Sequence, residues 1–463
     1  MQEFKGVFFL PDNLNNSDKY VVGDLHITEA GITLDLFGAL FEENMAMHPM
    51  NLTPNLSTTI WGFLASGKKM SLLDCRFKNH TIHFGGIQKE IYRSKYVLED
   101  IHIDSVEAKK FNSICFSIDK MHEWVGLTGK SISIYENNNV DLKYEKPDTV
   151  SYNISEDIVY SFVFNHNISF PIAEFKLSEY LHFEIKTKHE KNVEWFINEV
   201  EKVKKLFSLL IFSPLKITEI WLKSSAVKYN IKDKDIAMPL ILHHADYIGK
   251  NKNEVNIEVV PTRYVAIKQN LVGVFQKWNT NIKNDSFSNI IQILYDLLDD
   301  TTKFNPINFV SCFMAIEGMH RIYLIENKKI TKEAAKRIDK DKKIFTAILD
   351  SCSLENHKEW LEKRLKYNFD YRAQERLTEL LRENFHLLFW GDDRSKISSV
   401  ATKIVAARNG MTHIESNRDN NTGIYSYYLL LKNLLLIVIL KHIGIDEAQL
   451  NERFLQDNKL TLK

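Results

Sequence analysis

The chain has 463 residues, enough for two or three domains with sizeable cores. Its 60 Lys and Arg balance its 60 Asp and Glu, so overall charge gives no sign of a nucleic-acid or membrane-surface binder and leaves only local basic faces to do such work. The cysteines, Cys75, Cys115, Cys312 and Cys352, are scattered without a Cys-x-x-Cys pair; this excludes a disulfide framework and predicts reduced, mostly buried thiols.

At the N-terminus, Met1-Gln2-Glu3-Phe4-Lys5-Gly6 lacks the basic and apolar regions of a secretory leader. The longest apolar run, Leu434 to Leu440, is short for a bilayer span, so a cytoplasmic protein with no membrane partner is expected. The first ~190 residues read as strands. Thr33-Leu34-Asp35-Leu36-Phe37 and Ser131-Ile132-Ser133-Ile134-Tyr135 alternate apolar with polar, the period of a strand with one buried face. Glycines at 23, 31, 38, 62, 67, 85 and 86 punctuate these runs. Short strands with frequent turns predict a sandwich or a barrel-like sheet. His80 and His83 lie near Cys75 in one extended stretch, but no fourth ligand accompanies them and no metal site is expected. One helix then interrupts: Val193, Phe196, Ile197, Val200, Val203, Leu206, Phe207 and Leu210 recur at three and four. Strand-like pieces return over 217–224 and 255–267, closing a strand-rich first domain at 1–267.

From 268 the period becomes helical almost to the end. Candidate helices are 268–282, 286–300, 306–327, 331–351, 355–368, 371–387, 394–409, 423–443 and 446–456, an all-α bundle over 268–463. Asp285-Ser286, Asn305-Pro306, Thr331 and Asp393 supply starts. The α+β chain is thus a strand-rich domain followed by a helical one. Residues 328–343 carry eight cations against three acids; a solvated helix face is preferred to a phosphate-binding one. Trp360, Tyr367, Phe369 and Tyr371 are read as core rather than as base-stacking platforms. The 423–443 helix is apolar nearly all round and needs cover on two sides. Its own bundle and a second subunit would provide that cover; the centre of one large bundle would do so equally.

Chemistry concentrates at the end of helix 394–409. Ile397, Val400, Ala401, Ile404 and Val405 make an apolar stripe. At about 100° per residue Arg408 falls within roughly 20° of its axis, so its guanidinium extends the inward face. Gly410 fits the left-handed position that ends helices, and His413 follows three residues later. RNA cleavage needs few protein groups, because the ribose supplies the nucleophile. An imidazole moves the proton, and a guanidinium stabilises the phosphorane charge through parallel hydrogen bonds. Asn409 stands ready to orient either. The bare spacing is unspecific, since Arg76 and His83 match it too, and an ordinary helix-end cation followed by a loop histidine gives the same pattern.

Arg408-Asn409-Gly410-Met411-Thr412-His413 between two helices of a C-terminal bundle resembles the HEPN signature. Phe313 to Arg321 resembles an early helix of ApeA-like HEPN domains. The first half resembles ApeA in order: Phe4 to Pro11, Val22 to Leu25, Ile60-Trp61-Gly62, Ser71 to Cys75, His83 to Gly86, then Trp124. Phe8-Phe9 depart from the pattern, where tryptophan is expected. The resemblance implies an anti-phage abortive-infection protein whose HEPN domain is a metal-independent endoribonuclease without a cofactor. It implies a homodimeric site of Arg408 and His413, with Asn409 supporting and Glu317 orienting Arg408. It also implies RNA, possibly tRNA, as substrate, with the first domain as sensor or restraint for a phage-derived trigger. Two other classes compete: a non-catalytic HEPN-like module binding nucleotide or protein, and a carbohydrate- or peptide-binding β-domain with a helical dimerisation tail.

Overall fold

The computed structural model describes all residues except 1, 41–56, 83–87, 106, 108–110, 137–138, 171–174, 232–233, 246–254, 300–303, 328–331, 354, 366–370, 413–420 and 462–463. The chain folds into two compact units, residues 1–207 with 214–257, and residues 208–213 with 258–463.

In the first unit the chain runs through strands β1 (Gln2–Phe9), β2 (Val21–Thr28), β3 (Gly31–Leu36), β4 (Thr58–Leu64), β5 (Lys69–Ile82), β6 (Gln88–Ser94), β7 (Tyr96–Glu99) and β8 (Phe111–Ile118). Helix α1 (Met121–Val125) leads to β9 (Lys130–Ile134), β10 (Val140–Tyr144), β11 (Val150–Asn153), β12 (Ile158–Ser169) and β13 (Lys176–Lys191). Helix α2 (Val193–Ile211), which belongs to this unit as far as Phe207, precedes β14 (Ile217–Ile231) and β15 (Lys234–His244).

Six of these strands close a ring. β1 pairs with β2, β2 with β3, β3 with β6, β6 with β5, β5 with β4, and β4 with β1, all antiparallel. Closure depends on the length of β5: residues 69–75 pair with β4, and residues 76–82 pair with β6. The changeover falls at Asp74, which holds a left-handed φ of 54°. Alternation then sends Phe8, Leu25, Ile27, Leu34, Ile60, Leu72 and Cys75 into one core. Gly62 is required there, because a Cβ would lie 2.6 Å from the Phe8 ring. Outside that core, Trp61 stacks on His102 at 4.7 Å, and His102 Nε2 donates to the Gly62 carbonyl at 3.0 Å.

Burial lowers the His102 pKa from its ordinary 6.5, assisted by nearby Lys69 and opposed by that hydrogen bond. A depressed folded pKa means that protonation favours the unfolded chain. This contribution is therefore present above pH 6.5 and lost as pH falls through the folded value. Urea unfolding followed by tryptophan fluorescence is expected to show that loss, and His102→Gln to reduce it.

The sheet continues from β5 as β7-β15-β14-β8-β13-β12-β11. The periodic face of α2 covers it: Phe207 meets Trp124, Phe162 and Phe183 at 5.4–6.1 Å. The β9–β10 hairpin does not follow its alternation into a core. Ile132 and Ile134 lie opposite Leu142 and Val140, and all four are exposed.

The second unit holds α3 (Tyr264–Ile267), α4 (Leu271–Asn281), α5 (Asp285–Asp299), α6 (Pro306–Asn327), α7 (Lys332–Asp350) and α8 (Glu355–Leu365). It continues with α9 (Ala373–Glu383), α10 (Phe385–Leu388), α11 (Ile397–Thr412), α12 (Asn421–His442) and α13 (Glu452–Asn458). Caps explain the starts. Asn284 Oδ1 accepts from the amides of Ser286 and Phe287, and Asn305 Oδ1 accepts from that of Ile307 ahead of Pro306. The strand-like reading of 255–267 is corrected: Ile257–Val259 forms a 3₁₀ turn where the first unit ends at residue 257, and Tyr264–Ile267 forms a helix in the helical unit. The expected 371–387 helix breaks at Asn384, whose side-chain amide donates to the Leu380 carbonyl at 2.9 Å.

By length and composition α12 is long and apolar enough to cross a membrane, with a mean hydropathy of 1.8 over Gly423–His442. Within the unit, however, every residue from Leu434 to Leu440 is buried, as are Leu430 and Leu431. The bundle alone covers that half, so its all-round apolarity does not require a second subunit. Cys75, Cys115 and Cys312 are buried thiols, and burial pushes each up to about 12.

Candidate active site

Ile397, Ala401 and Ile404 are buried and fix the rotation of α11. Arg408, one turn past Ile404, therefore points towards the bundle, as the stripe predicts. The helix does not end at Gly410. It runs on to Thr412, whose hydroxyl donates to the carbonyls of Arg408 at 3.2 Å and Asn409 at 2.9 Å. A glycine inside a helix costs about 1 kcal/mol relative to alanine, too little to stop one that is anchored by packing. Arg408 and Asn409 thus sit in the last turn, immediately before the 413–420 segment. His413 lies outside the described residues.

Arg408 is held on three sides. Nη1 donates to Asn409 Oδ1 at 3.1 Å. Nη2 lies 3.7 Å from Glu317 Oε2, an ion pair beyond hydrogen-bond length. The guanidinium carbon stands 5.5 Å from the centre of the Phe313 ring. Phe313 and Glu317 are one turn apart on α6 and so share a face. The Arg408 and Glu317 side chains remain 29% and 20% exposed, so solvent reaches the pair. Arg408 Nε is buried, with no hydrogen-bond partner among the described residues. A buried donor left over costs about 1–3 kcal/mol, and such groups gather at functional sites. Asn409 is exposed.

The structure therefore brings together three of the four expected site residues, Arg408, Asn409 and Glu317, and adds Phe313. Sequence reasoning quoted Phe313 without a role; its four-residue spacing to Glu317 was the available signal. Another polar cluster escaped notice. His320, fully buried on α6, meets Glu379 Oε2 through Nε2 at 2.7 Å, and Arg376 Nη1 lies 3.3 Å from its Nδ1. Arg376 donates to Nδ1, so Nε2 carries the proton given to Glu379. Tyr371 packs against the imidazole at 5.1 Å and beneath the Arg376 guanidinium at 5.7 Å. Tyr371 is core as expected, whereas Trp360 is exposed; Tyr367 and Phe369 lie outside the described residues.

Residues 3–278 match the family described as ApeA N-terminal domain 1, and residues 310–449 match that described as Apea-like HEPN. The helical bundle with its arginine-bearing helix is thus a HEPN domain, of a class generally related to ribonucleases. The chain belongs to the ApeA family, as an ApeA-like protein with a C-terminal HEPN domain, and is a HEPN-containing defence protein. No curated protein and no solved structure matches it.

Proposed function

We propose that the helical unit is a metal-independent endoribonuclease acting in the cytoplasm as an abortive-infection device. Arg408 and His413 are its catalytic pair. The observation that carries this reading is the state of Arg408: aimed by Glu317, Asn409 and Phe313, yet keeping an unspent buried donor beside the segment that holds His413. The Arg408 side chain is 29% exposed, and the Nη N–H groups not given to Asn409 are left for the non-bridging oxygens of a scissile phosphate, while the buried Nε marks the strain of holding the guanidinium there. The ribose 2′-oxygen attacks phosphorus while one imidazole takes its proton. The 5′-oxygen leaves with a proton from a second imidazole, giving a 2′,3′-cyclic phosphate and a 5′-hydroxyl. Asn409 steadies the phosphate or the guanidinium.

Two imidazoles call for two copies of the chain, and α6 offers an apolar seam beside Glu317. Ile307 is 70% exposed, Met314 55%, and Tyr425 on the neighbouring helix 47%. Ile307, Val310, Met314 and Glu317 follow the three-four spacing of a helix–helix contact. The strand-rich unit is the available sensor or restraint, with RNA, possibly tRNA, as substrate and a phage product as trigger. Because neither proton transfer nor charge stabilisation is assigned to a metal, RNA cutting by the purified chain is expected to proceed unchanged in excess EDTA. Cutting that stops in EDTA and returns with magnesium would contradict the proposal.

A further inference from the structure

The sequence leaves the basic run over 328–343 as a solvated face. The structure shows how its charges are sorted. On α7 the acid that points inward is spent: Asp341 takes Arg337 Nη1 at 2.8 Å and lies 3.6 Å from Arg372 Nη2. Arg337 also grips Glu375 through Nε at 2.6 Å and Nη2 at 2.9 Å. The outward side keeps the lysines. Lys336, Lys340 and Lys343 fall within about 60° of one another's helical direction, and each is about 4–6 Å further along the axis than the last. All three are exposed. Asp339 pairs with Lys343 at 2.9 Å, where both side chains are largely in water and the pair is weak. Lys336 and Lys340 meet no carboxylate among the described residues.

Helix α9 serves as a ruler between this ridge and Arg408. α11 runs antiparallel to it: Ser398 and Thr378 line the same cleft of ≈ 520 Å³, and Gln374 Nε2 donates to Thr402 Oγ1 at 2.7 Å. α7 is antiparallel to α9 as well, since Arg337 meets Glu375 and Asp341 meets Arg372. Both helices therefore pass the N-terminal end of α9 in the same direction. Arg408 lies six residues, about 9 Å, beyond Thr402, and Lys343 lies two residues beyond Asp341.

We infer that Lys336, Lys340 and Lys343 form a phosphate-tracking ridge that holds the backbone of an RNA strand whose scissile phosphate lies at Arg408. The inference rests on the ribonuclease reading of the site. The ridge spacing is close to the separation of successive phosphates along an RNA strand, and lysine contacts of this kind carry no base preference. The ridge accordingly supplies affinity and placement, while sequence choice is made elsewhere.

The test uses the full chain carrying His413→Ala, so that RNA stays intact, and a fluorescent single-stranded RNA of ~20 nucleotides over ~50 to ~200 mM KCl. Replacing the three lysines with Gln is expected to weaken binding at low salt at least about tenfold and to reduce the slope of log affinity against log salt by about 2. The corresponding triple Arg variant is expected to keep both, and Lys268→Gln with Lys283→Gln to change neither. An unchanged slope and affinity in the triple Gln chain would overturn the ridge, while RNA cutting by the parent would leave the ribonuclease reading standing. If the parent neither binds nor cuts RNA, both fail. A triple Gln chain whose thermal unfolding matches the parent excludes misfolding as the cause of weaker binding.

Discussion

His413→Ala is expected to lower the rate of RNA cleavage by about 10²–10⁴, and Arg408→Ala by about 10²–10³. The two losses have different origins. In the proposed mechanism the imidazole moves a proton in each half of the displacement, and without it the 2′-oxygen must lose its proton to water. In the same mechanism the guanidinium stabilises charge that grows on the phosphorane; Asn409 at 3.1 Å and Glu317 at 3.7 Å hold it in place. Because both act on one transition state, the double variant is expected to fall little below the weaker single one. Growth arrest on expression should disappear in step, with thermal unfolding unchanged. A His413→Ala chain that cuts as fast as its parent removes the residue from the mechanism.

The second large effect concerns the fold beneath the site. Glu379→Ala is expected to destabilise the helical unit by about 3 kcal/mol, near the lower end for breaking a buried charged pair. The reason is local. His320 is fully buried and Arg376 is 1% exposed, and the Glu379 carboxylate takes the imidazole proton at 2.7 Å. Removing it leaves a buried N–H and a nearby guanidinium in a dry place. Glu379→Gln keeps an acceptor and is expected to cost about 1 kcal/mol. In urea the midpoint of the Ala variant should drop by about 1–2 M. A shift equivalent to less than about 0.5 kcal/mol would show that the cluster contributes little. His320 lies three residues from Glu317 on α6, so loosening it should also raise the KM for RNA.

Local patterns revealed much of the architecture. Helix 306–327 was readable to the residue, because Asn305-Pro306 writes its start and the residues that follow are apolar over most of its length. The strand-rich first half was evident from alternation and glycines, and the family matches agree with the resemblance carried by its short motifs. Short strands and frequent turns pointed to a sandwich or a barrel-like sheet, and the sheet is barrel-like; which strands close the ring was not readable, because closure depends on β5 changing partners at Asp74, a long-range pairing that no local period announces. The alternation in β9 was clear but did not mean burial, since a two-stranded ribbon exposes both faces until something covers it. Gly410 misled because a local stop signal of about 1 kcal/mol was outweighed by packing. The inward aim of Arg408 followed from helical arithmetic. Its pairing with Glu317 needed the resemblance, and the Phe313 ring beneath it needed coordinates. The His320–Glu379–Arg376 cluster joins α6 to α9 across 56–59 residues, so spacing along the chain could not reveal it.

The central claim is that one phosphodiester is broken by its own ribose under the joint action of residues 408 and 413. The chemistry of the new ends tests it most directly. RNA incubated with the purified chain should carry 2′,3′-cyclic phosphate and 5′-hydroxyl termini, and neither should appear with His413→Ala. Fragments bearing 5′-phosphate and 3′-hydroxyl ends, or cyclic ends formed equally well by the His413→Ala chain, would contradict it.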